Sequence, residues 1–267
     1  MENIHLSDRA VIALEGAEAR DFLQGLVTND LAALAPARAL YAALLAPQGK
    51  ILFDFLIAEG DGAVLLDCAA ADAEALVKKL KQYRLRRKVE IAVRPQLCVY
   101  AHLSGRPAER AISFPDPRLA ALGLRSIGAM AEMPAYLEGP QAYHAARLDL
   151  GVPEGPDFGS DKIFALDAGL DELHAIAFDK GCYIGQELTA RMKHRGTARK
   201  RLLIAQADMP LPSGGALMAG DTVIGELVSV YGSRAFALVR LDRLDAGAPS
   251  LAVEKIPVAL TKPKWLD

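Results

Sequence analysis

One run of this sequence concentrates residues able to do chemistry: Asp179-Lys180-Gly181-Cys182-Tyr183-Ile184-Gly185-Gln186-Glu187, with Cys182 between two glycines. The reactive and metal-ligating form of cysteine is the thiolate, favoured by nearby cations and by backbone N–H groups at a helix start. Lys180 lies two residues before Cys182, while Arg191 and Lys193 lie two or three helical turns after it. Gly181 and Gly185 let the backbone turn or approach a neighbour closely. Gln186 and Glu187 offer a ligand one amide and one carboxylate, or simply decorate the first turn of a helix. A structural thiol stays open on these neighbours alone, because free cysteine is commonly buried and inert. The window 180–201 holds seven cations (Lys180, Arg191, Lys193, Arg195, Arg199, Lys200, Arg201) and one acid, Glu187. It carries +6 within a chain of net charge -2, so the remainder carries -8. A basic cluster on an acidic chain points to a local anionic partner more than to the broad footprint of a nucleic-acid binder. A solvated helix face gives the same pattern.

The elements that must position this segment are legible in outline. Ala10–Leu14 reads as a strand and Ala17–Val27 as a helix with Phe22, Leu23, Leu26 and Val27 on one face, broken by Thr28-Asn29-Asp30. From Tyr41 to Ala69, three apolar stretches are punctuated by Pro47-Gln48-Gly49 and Gly60-Asp61-Gly62, the pattern of antiparallel strands. An amphipathic helix is expected over 71–87, then strands over 89–93 and 97–103. Cys68 and Cys98 fall within strands and read as buried structural thiols. The stretch 105–140, rich in Pro, Gly and Arg, is a connector to which no chemistry is assigned. A helix is expected over 138–150, closed by Gly151, and Gly151–Asp161 is a loop long enough to carry function. A helical turn is expected over Leu188–Lys193. Beyond Gly196, short apolar stretches separated by turn residues have the rhythm of a small antiparallel barrel.

With 267 residues, 52% of them apolar, the chain can bury a sizeable core in two or three units. Its first residues lack a basic start followed by an apolar run, and no stretch of eighteen residues is apolar throughout. The expectation is a cytoplasmic protein with no membrane span. Three cysteines without a C-x-x-C arrangement suit a reducing compartment.

The string from Lys180 to Glu187 matches the signature K-G-C-Y-x-G-Q-E of the YgfZ-type folate-binding proteins, and LTARMKHRG resembles their mitochondrial and α-proteobacterial branch. FLQGLVTNDL, ALLAPQGKILFDFLI, YRLRRKV, RLDLGVPEG and FALDAGLD extend the resemblance over most of the chain in the expected order. It implies an α+β fold like that of the glycine-cleavage T-protein. The implied units are a central folate-binding region over 1–40 and 104–198, a strand-rich ferredoxin-like portion over 41–103, and a C-terminal antiparallel β-barrel over 199–267. The implied activity is to support assembly or repair of iron-sulfur proteins, particularly [4Fe-4S] enzymes, with tetrahydrofolate as cofactor and assembly proteins or client enzymes as partners. Cys182 becomes the functional thiol, either a transient cluster ligand, since one cysteine cannot supply the usual four thiolates, or a redox or transfer thiol. By the same match Lys180, Gly181, Tyr183, Gly185, Gln186, Glu187 and Arg191 belong to the surface that the family uses. Folate contacts are implied for Asn29, Asp54, Arg147, Asp149, Tyr183 and Arg191.

Two departures narrow the expectation. T-proteins carry G-G-x-x-D-D with the catalytic aspartate, where this chain has Gly49-Lys50-Ile51-Leu52-Phe53-Asp54. A phenyl ring at the catalytic position cannot exchange a proton, which argues against an aminomethyltransferase. Arg147-Leu148-Asp149-Leu150-Gly151 resembles R-x-E-x-G, whose glutamate reads the pterin, so Asp149 is the implied pterin reader through bidentate hydrogen bonds. The anionic folate tail would then meet the basic cluster from Arg191 to Arg201. A folate-dependent aminomethyltransferase or demethylase is the second reading. A protein supporting tRNA modification is the third, with nucleic acid an improbable partner.

Overall fold

Alternation and turn chemistry produce most of the architecture. The computed structural model describes residues 3–104, 110–132, 139–196, 199–244 and 250–266. The first elements are β1 (Asn3–His5), β2 (Arg9–Glu15) and the short helix α1 (Ala19–Gln24), which buries Ala19, Phe22 and Leu23. Pro47-Gln48-Gly49 reverses β3 (Leu40–Leu45) into β4 (Ile51–Gly60). Asp61 and Gly62, both at positive φ, reverse β4 into β5 (Ala63–Ala69), as a tight hairpin requires. Helix α2 (Ala73–Arg84) buries Leu76, Val77 and Leu80 at helical spacing and leads into β6 (Glu90–Val93) and β7 (Leu97–His102). Next come β8 (Ile112–Pro115), β9 (Leu124–Ala129) and α3 (Gln141–Leu150). Gly151 closes α3 in the left-handed conformation, its N–H meeting the Leu148 carbonyl. Glu138, expected in that helix, lies outside the described residues.

A five-stranded sheet has the order β3-β4-β5-β2-β6, and a four-stranded sheet the order β1-β7-β9-β8. Both cross the expected unit boundaries at 40/41 and 103/104: β2 lies between β5 and β6, and β7 lies between β1 and β9. These pairings are non-local, and local periodicity carries no trace of them. Helices α1 and α2 cover one face of the five-stranded sheet, packing Phe22, Leu23, Leu76 and Leu80 against Ile12, Leu14, Phe55 and Leu66. The opposite face, with Val11, Ala13 and Leu56, packs with Val99, Ile127, Tyr143 and Leu148 from the four-stranded sheet and α3.

After α4 (Gln186–Arg195), the chain forms β10 (Lys200–Gln206), β11 (Gly215–Ala219), β12 (Thr222–Tyr231), β13 (Arg234–Arg240), β14 (Leu251–Val253), β15 (Ile256–Pro257) and β16 (Ala259–Thr261). All seven pair antiparallel in the order β15-β14-β11-β12-β13-β10-β16, a nearly closed barrel with its own core of Leu203, Leu217, Ile224, Ala237 and Val253. Cys68 is buried in β5 as expected, whereas Cys98 in β7 is only half-buried. Among the described residues no helix is long and apolar enough to cross a membrane.

Candidate functional site

Cys182 is the one exposed cysteine of the three, and its loop is fastened on both sides. Before it, Lys180 is buried and its ammonium donates to three backbone carbonyls, of Gln24 (2.7 Å), Val27 (2.8 Å) and Asn29 (2.6 Å). These are orphan acceptors at and beyond the end of α1, so the lysine satisfies a helix terminus about 150 residues earlier in the chain. Burial pulls its pKa down to about 8, against a weaker upward pull from Asp30. All three donors of the Lys180 ammonium are thus engaged with backbone carbonyls, so the lysine makes no hydrogen bond to the Cys182 sulfur.

After Cys182, Tyr183 is buried beneath the Lys180 ammonium, 5.4 Å from its ring centroid, and burial pushes its hydroxyl up to about 12. Gly185 sits at φ +83°, where a Cβ would stand 2.7 Å from the Ala46 carbonyl and 3.2 Å from Gly49 Cα. Glycine at 185 thus lets the motif seat directly on the β3–β4 hairpin. Gly181, by contrast, faces open space, so the expected close approach holds at Gly185 alone. Helix α4 starts at Gln186, with Thr189 Oγ1 donating back to the Gly185 carbonyl at 3.0 Å.

Three cations of the basic cluster are paired within the chain. Arg191 pairs with Glu187 at 2.6 Å on the exposed face of α4, Lys193 with Asp171 at 2.8 Å, and Arg201 with Glu172 at 2.7 Å. Glu187 and Arg191 form an ordinary surface pair four residues apart.

The residues implied for folate do not converge on one site. Asn29 donates to the Tyr41 and His174 carbonyls, both at 2.8 Å, and borders a cleft of about 460 Å³ with Arg38, Tyr41, Asp116 and His174. Asp54 is buried, accepting from the Gly155 N–H at 2.8 Å and the Tyr41 hydroxyl at 3.1 Å. Arg147 is buried and bonds Asp157 (2.5 Å), Tyr231 (2.6 Å) and His144 (2.9 Å). Tyr183 and Arg191 belong to the motif region just described. Asp149, two positions from Arg147 on α3, points to the surface, pairs with Arg234, and borders a different cleft of about 440 Å³. That cleft does present what a pterin uses: an exposed carboxylate beside Trp265, Leu119, Leu150 and Pro263, with Lys262 and Lys264 at its edge. Phe53 packs against the core beneath α1 and α2, so no carboxylate replaces the missing partner of Asp54.

The central layer contains chemistry that the connector reading of 105–140 missed. Arg118 forks onto Asp116 at 2.9 and 2.6 Å and reaches Glu154 at 2.5 Å. Arg118 and Arg125 both donate to the Tyr143 hydroxyl at 2.6 Å, and that hydroxyl donates to Glu154 at 3.0 Å. Arg9 bonds Asp67 at 2.6 Å, and Arg125 lies 3.4 Å from the same carboxylate. Burial alone would raise Glu154, but Arg118, Arg9, Arg147 and Arg125 hold it well below the usual carboxylate range. Such a network is costly to desolvate and fixes its members rigidly once complete. Its signal in the sequence is weak: single charges inside apolar strands, such as Asp54 and Asp67, and the Asp116-x-Arg118 pair.

Two packed antiparallel sheets, a motif loop seated on a hairpin and a C-terminal barrel define an α+β protein of the T-protein-like class. In solved structures the same fold occurs in the glycine cleavage system aminomethyltransferase T from Bartonella henselae, with TM-score 0.77 over 99% of this chain and 86% of that one at 16% identity. The barrel, residues 199–267, matches the family model for the CAF17 C-terminal beta-barrel domain. The chain is 36% identical to the human mitochondrial iron-sulfur cluster assembly factor IBA57 and 33% identical to the mouse protein, in both cases over 97% of this chain and 84% of the relative. The chain belongs to the IBA57/CAF17 family of iron-sulfur cluster assembly factors.

Proposed function

We propose that the protein serves iron-sulfur assembly, particularly of [4Fe-4S] enzymes, by presenting the Cys182 thiol to a partner protein. The observation that carries this reading is the contrast between an exposed cysteine and its immobilised frame: Lys180 held by three carbonyls, Tyr183 buried, and Gly185 pressed on the β3–β4 hairpin. A frame so fixed keeps one side chain outward at a defined place, which suits transfer between proteins more than core packing. One thiolate is a quarter of the usual ligand set, so the cluster is cargo whose remaining ligands come from the partner or from glutathione. Cys182→Ser tests the reading. Activity of a [4Fe-4S] enzyme in cells relying on this protein is expected to fall roughly tenfold or more, with the thermal midpoint unchanged because the residue is exposed. Full activity with the serine variant removes the thiol from the mechanism.

Tetrahydrofolate is proposed as the cofactor, seated in the cleft beside Asp149. Support comes from the donor set there: a carboxylate for paired ring N–H groups, Trp265 with apolar neighbours for the ring, and Lys262 and Lys264 for an anionic tail. A reduced pterin supplies a ring nitrogen able to accept one-carbon units. With Phe53 turned into the core and Asp54 bonded inward, the chain sets no exchanging group at the position T-proteins use.

A further inference from the structure

Helix α2 ends in a surface that the Cys182 region does not involve. The helix buries Ala73, Leu76, Val77 and Leu80 and leaves Lys78, Lys81 and Gln82 exposed. Residues 78–88 contain seven cations and no acid. The helix macrodipole accounts for cations in the last turn, Lys81 and Arg84. It does not account for Arg86, Arg87 and Lys88, which follow the helix, nor for the leucine among them. Leu85 ends the helix at φ 47° and is 85% exposed, the most exposed of the large apolar residues described. Positive φ is costly for leucine and cheap for glycine or asparagine, and a side chain so exposed adds almost nothing to the core. Two unfavourable choices therefore coincide at one residue, and folding explains neither.

Compensation of the charge inside the chain is slight. Arg87 lies 3.8 Å from Glu18, both nearly half exposed, and Glu18 also accepts from the Lys88 backbone N–H at 2.7 Å. Arg84 donates to the Val89 carbonyl at 3.3 Å. Lys78, Lys81, Arg86 and the Lys88 ammonium have no ion-pair partner among the described residues. Glu18 and Glu90 are the acids beside the tip. Against them stand five cations from Lys81 to Lys88, so the tip keeps +3 on a chain of net charge -2.

We propose that the end of α2 seats the protein on an anionic bilayer surface, with Leu85 entering the headgroup layer and Lys81, Arg86, Arg87 and Lys88 meeting lipid phosphates. Charge complementarity and the leucine together select the occupant. A bilayer interface takes a single protruding aliphatic side chain without a shaped socket and surrounds it with negative charge. An acidic protein face would match the cations and leave the leucine without an apolar layer. Nucleic acid would need rings on which its bases stack, and the aromatic residue of this segment, Tyr83, is half-buried, packed against the core with Lys79 over its ring. The contact is peripheral and reversible, and it requires no spanning helix.

Vesicles of mixed phosphatidylglycerol and phosphatidylcholine are the probe, cosedimented with the full chain. Binding that weakens with salt is expected, with none to phosphatidylcholine alone. Arg86→Gln with Lys88→Gln is expected to weaken it by about tenfold, since each cation near an anionic surface contributes several-fold. Leu85→Asn keeps the turn, because asparagine tolerates positive φ. It is expected to weaken vesicle binding several-fold while the thermal midpoint holds or rises, a combination that a leucine serving the fold would not give. Free glycerol phosphate is expected not to compete, which separates the bilayer from its headgroup. Absence of binding to the anionic vesicles, equal binding to phosphatidylcholine alone, or competition by glycerol phosphate overturns the proposal. So does insensitivity to the double substitution, unchanged binding of the Leu85→Asn protein, or a lowered midpoint in that variant. Tighter binding of a single-stranded RNA or of polyglutamate with the same residue dependence also overturns it.

Discussion

Asp54 is the odd charge of the central ionic layer. Arg9, Arg118, Arg125 and Arg147 face Asp67, Asp116, Glu154 and Asp157, four against four, and Asp54 is a fifth carboxylate. Burial pushes it up from 3.8 to about 6, more than Arg9 pulls it down, with Glu154 adding to the rise. A folded pKa above the unfolded one means that the fold favours the protonated form. The stabilisation is complete below the unfolded pKa of 3.8 and is lost as pH rises through about 6. Asp54→Asn reproduces the neutral state and can still accept from the Gly155 N–H. It is expected to exceed the wild type in stability by about 2 kcal/mol above neutral pH, and to match it near pH 4. Urea unfolding at the two pH values measures this, and parallel behaviour of the two proteins would mean that Asp54 ionises without penalty. Asp54 was visible in the sequence as an acid inside an apolar strand, as Cys182 was visible as a thiol among glycines. The direction of Lys180 was not visible, because its three acceptors lie about 150 residues away and nothing local encodes them.

Among the elements, the β3–β4 hairpin and the motif loop form one device. Gly49 and Gly185 meet backbone to backbone, and both hold positive φ. Gly185→Ala forces a Cβ to within 2.7 Å of the Ala46 carbonyl at φ +83°, and should lower stability by about 2 kcal/mol. Gly181→Ala meets nothing within 4 Å and should change stability by less than about 0.5 kcal/mol. Thermal denaturation of the two variants, with the alkylation rate of Cys182 beside it, separates a glycine that seats the motif from one that merely neighbours the thiol; equal effects would refute the seating. Turn chemistry made these hairpins readable from Pro47-Gln48-Gly49 and Asp61-Gly62, and alternation made the barrel strands readable. Sheet order was not readable, since β2 joins β5 and β6 across more than forty residues of intervening chain. For the same reason Arg118 and Arg125 read as connector charges until the fold closes them over Tyr143.

At the scale of the molecule, the cleft beside Asp149 exists only because the barrel docks on α3. Its walls come from α3, from Ile204 in β10 and from the segment after β16. The docking is fixed by Trp265 Nε1 donating to the Leu150 carbonyl at 2.9 Å and by Arg147 donating to the Tyr231 hydroxyl at 2.6 Å. Trp265 is the single tryptophan of the chain, so its emission reports on this cleft and on nothing else. Tetrahydrofolate is expected to quench that emission saturably. Asp149→Asn should weaken binding by tenfold or more, because a charge-assisted bidentate pair contributes about 1.5–3 kcal/mol. The thermal midpoint should hardly move, since the pair Asp149 makes with Arg234 is exposed and contributes little to folding. Quenching that survives Asp149→Asn undiminished would place the pterin away from this carboxylate. The cleft at Asn29 and Tyr41, which Asp116 of the ionic layer also lines, would then be the alternative. Beside Asp149 no member of that layer lines the cleft. A ligand held there would draw its affinity from rim residues such as Asp149, and single rim substitutions should weaken binding without unfolding the protein.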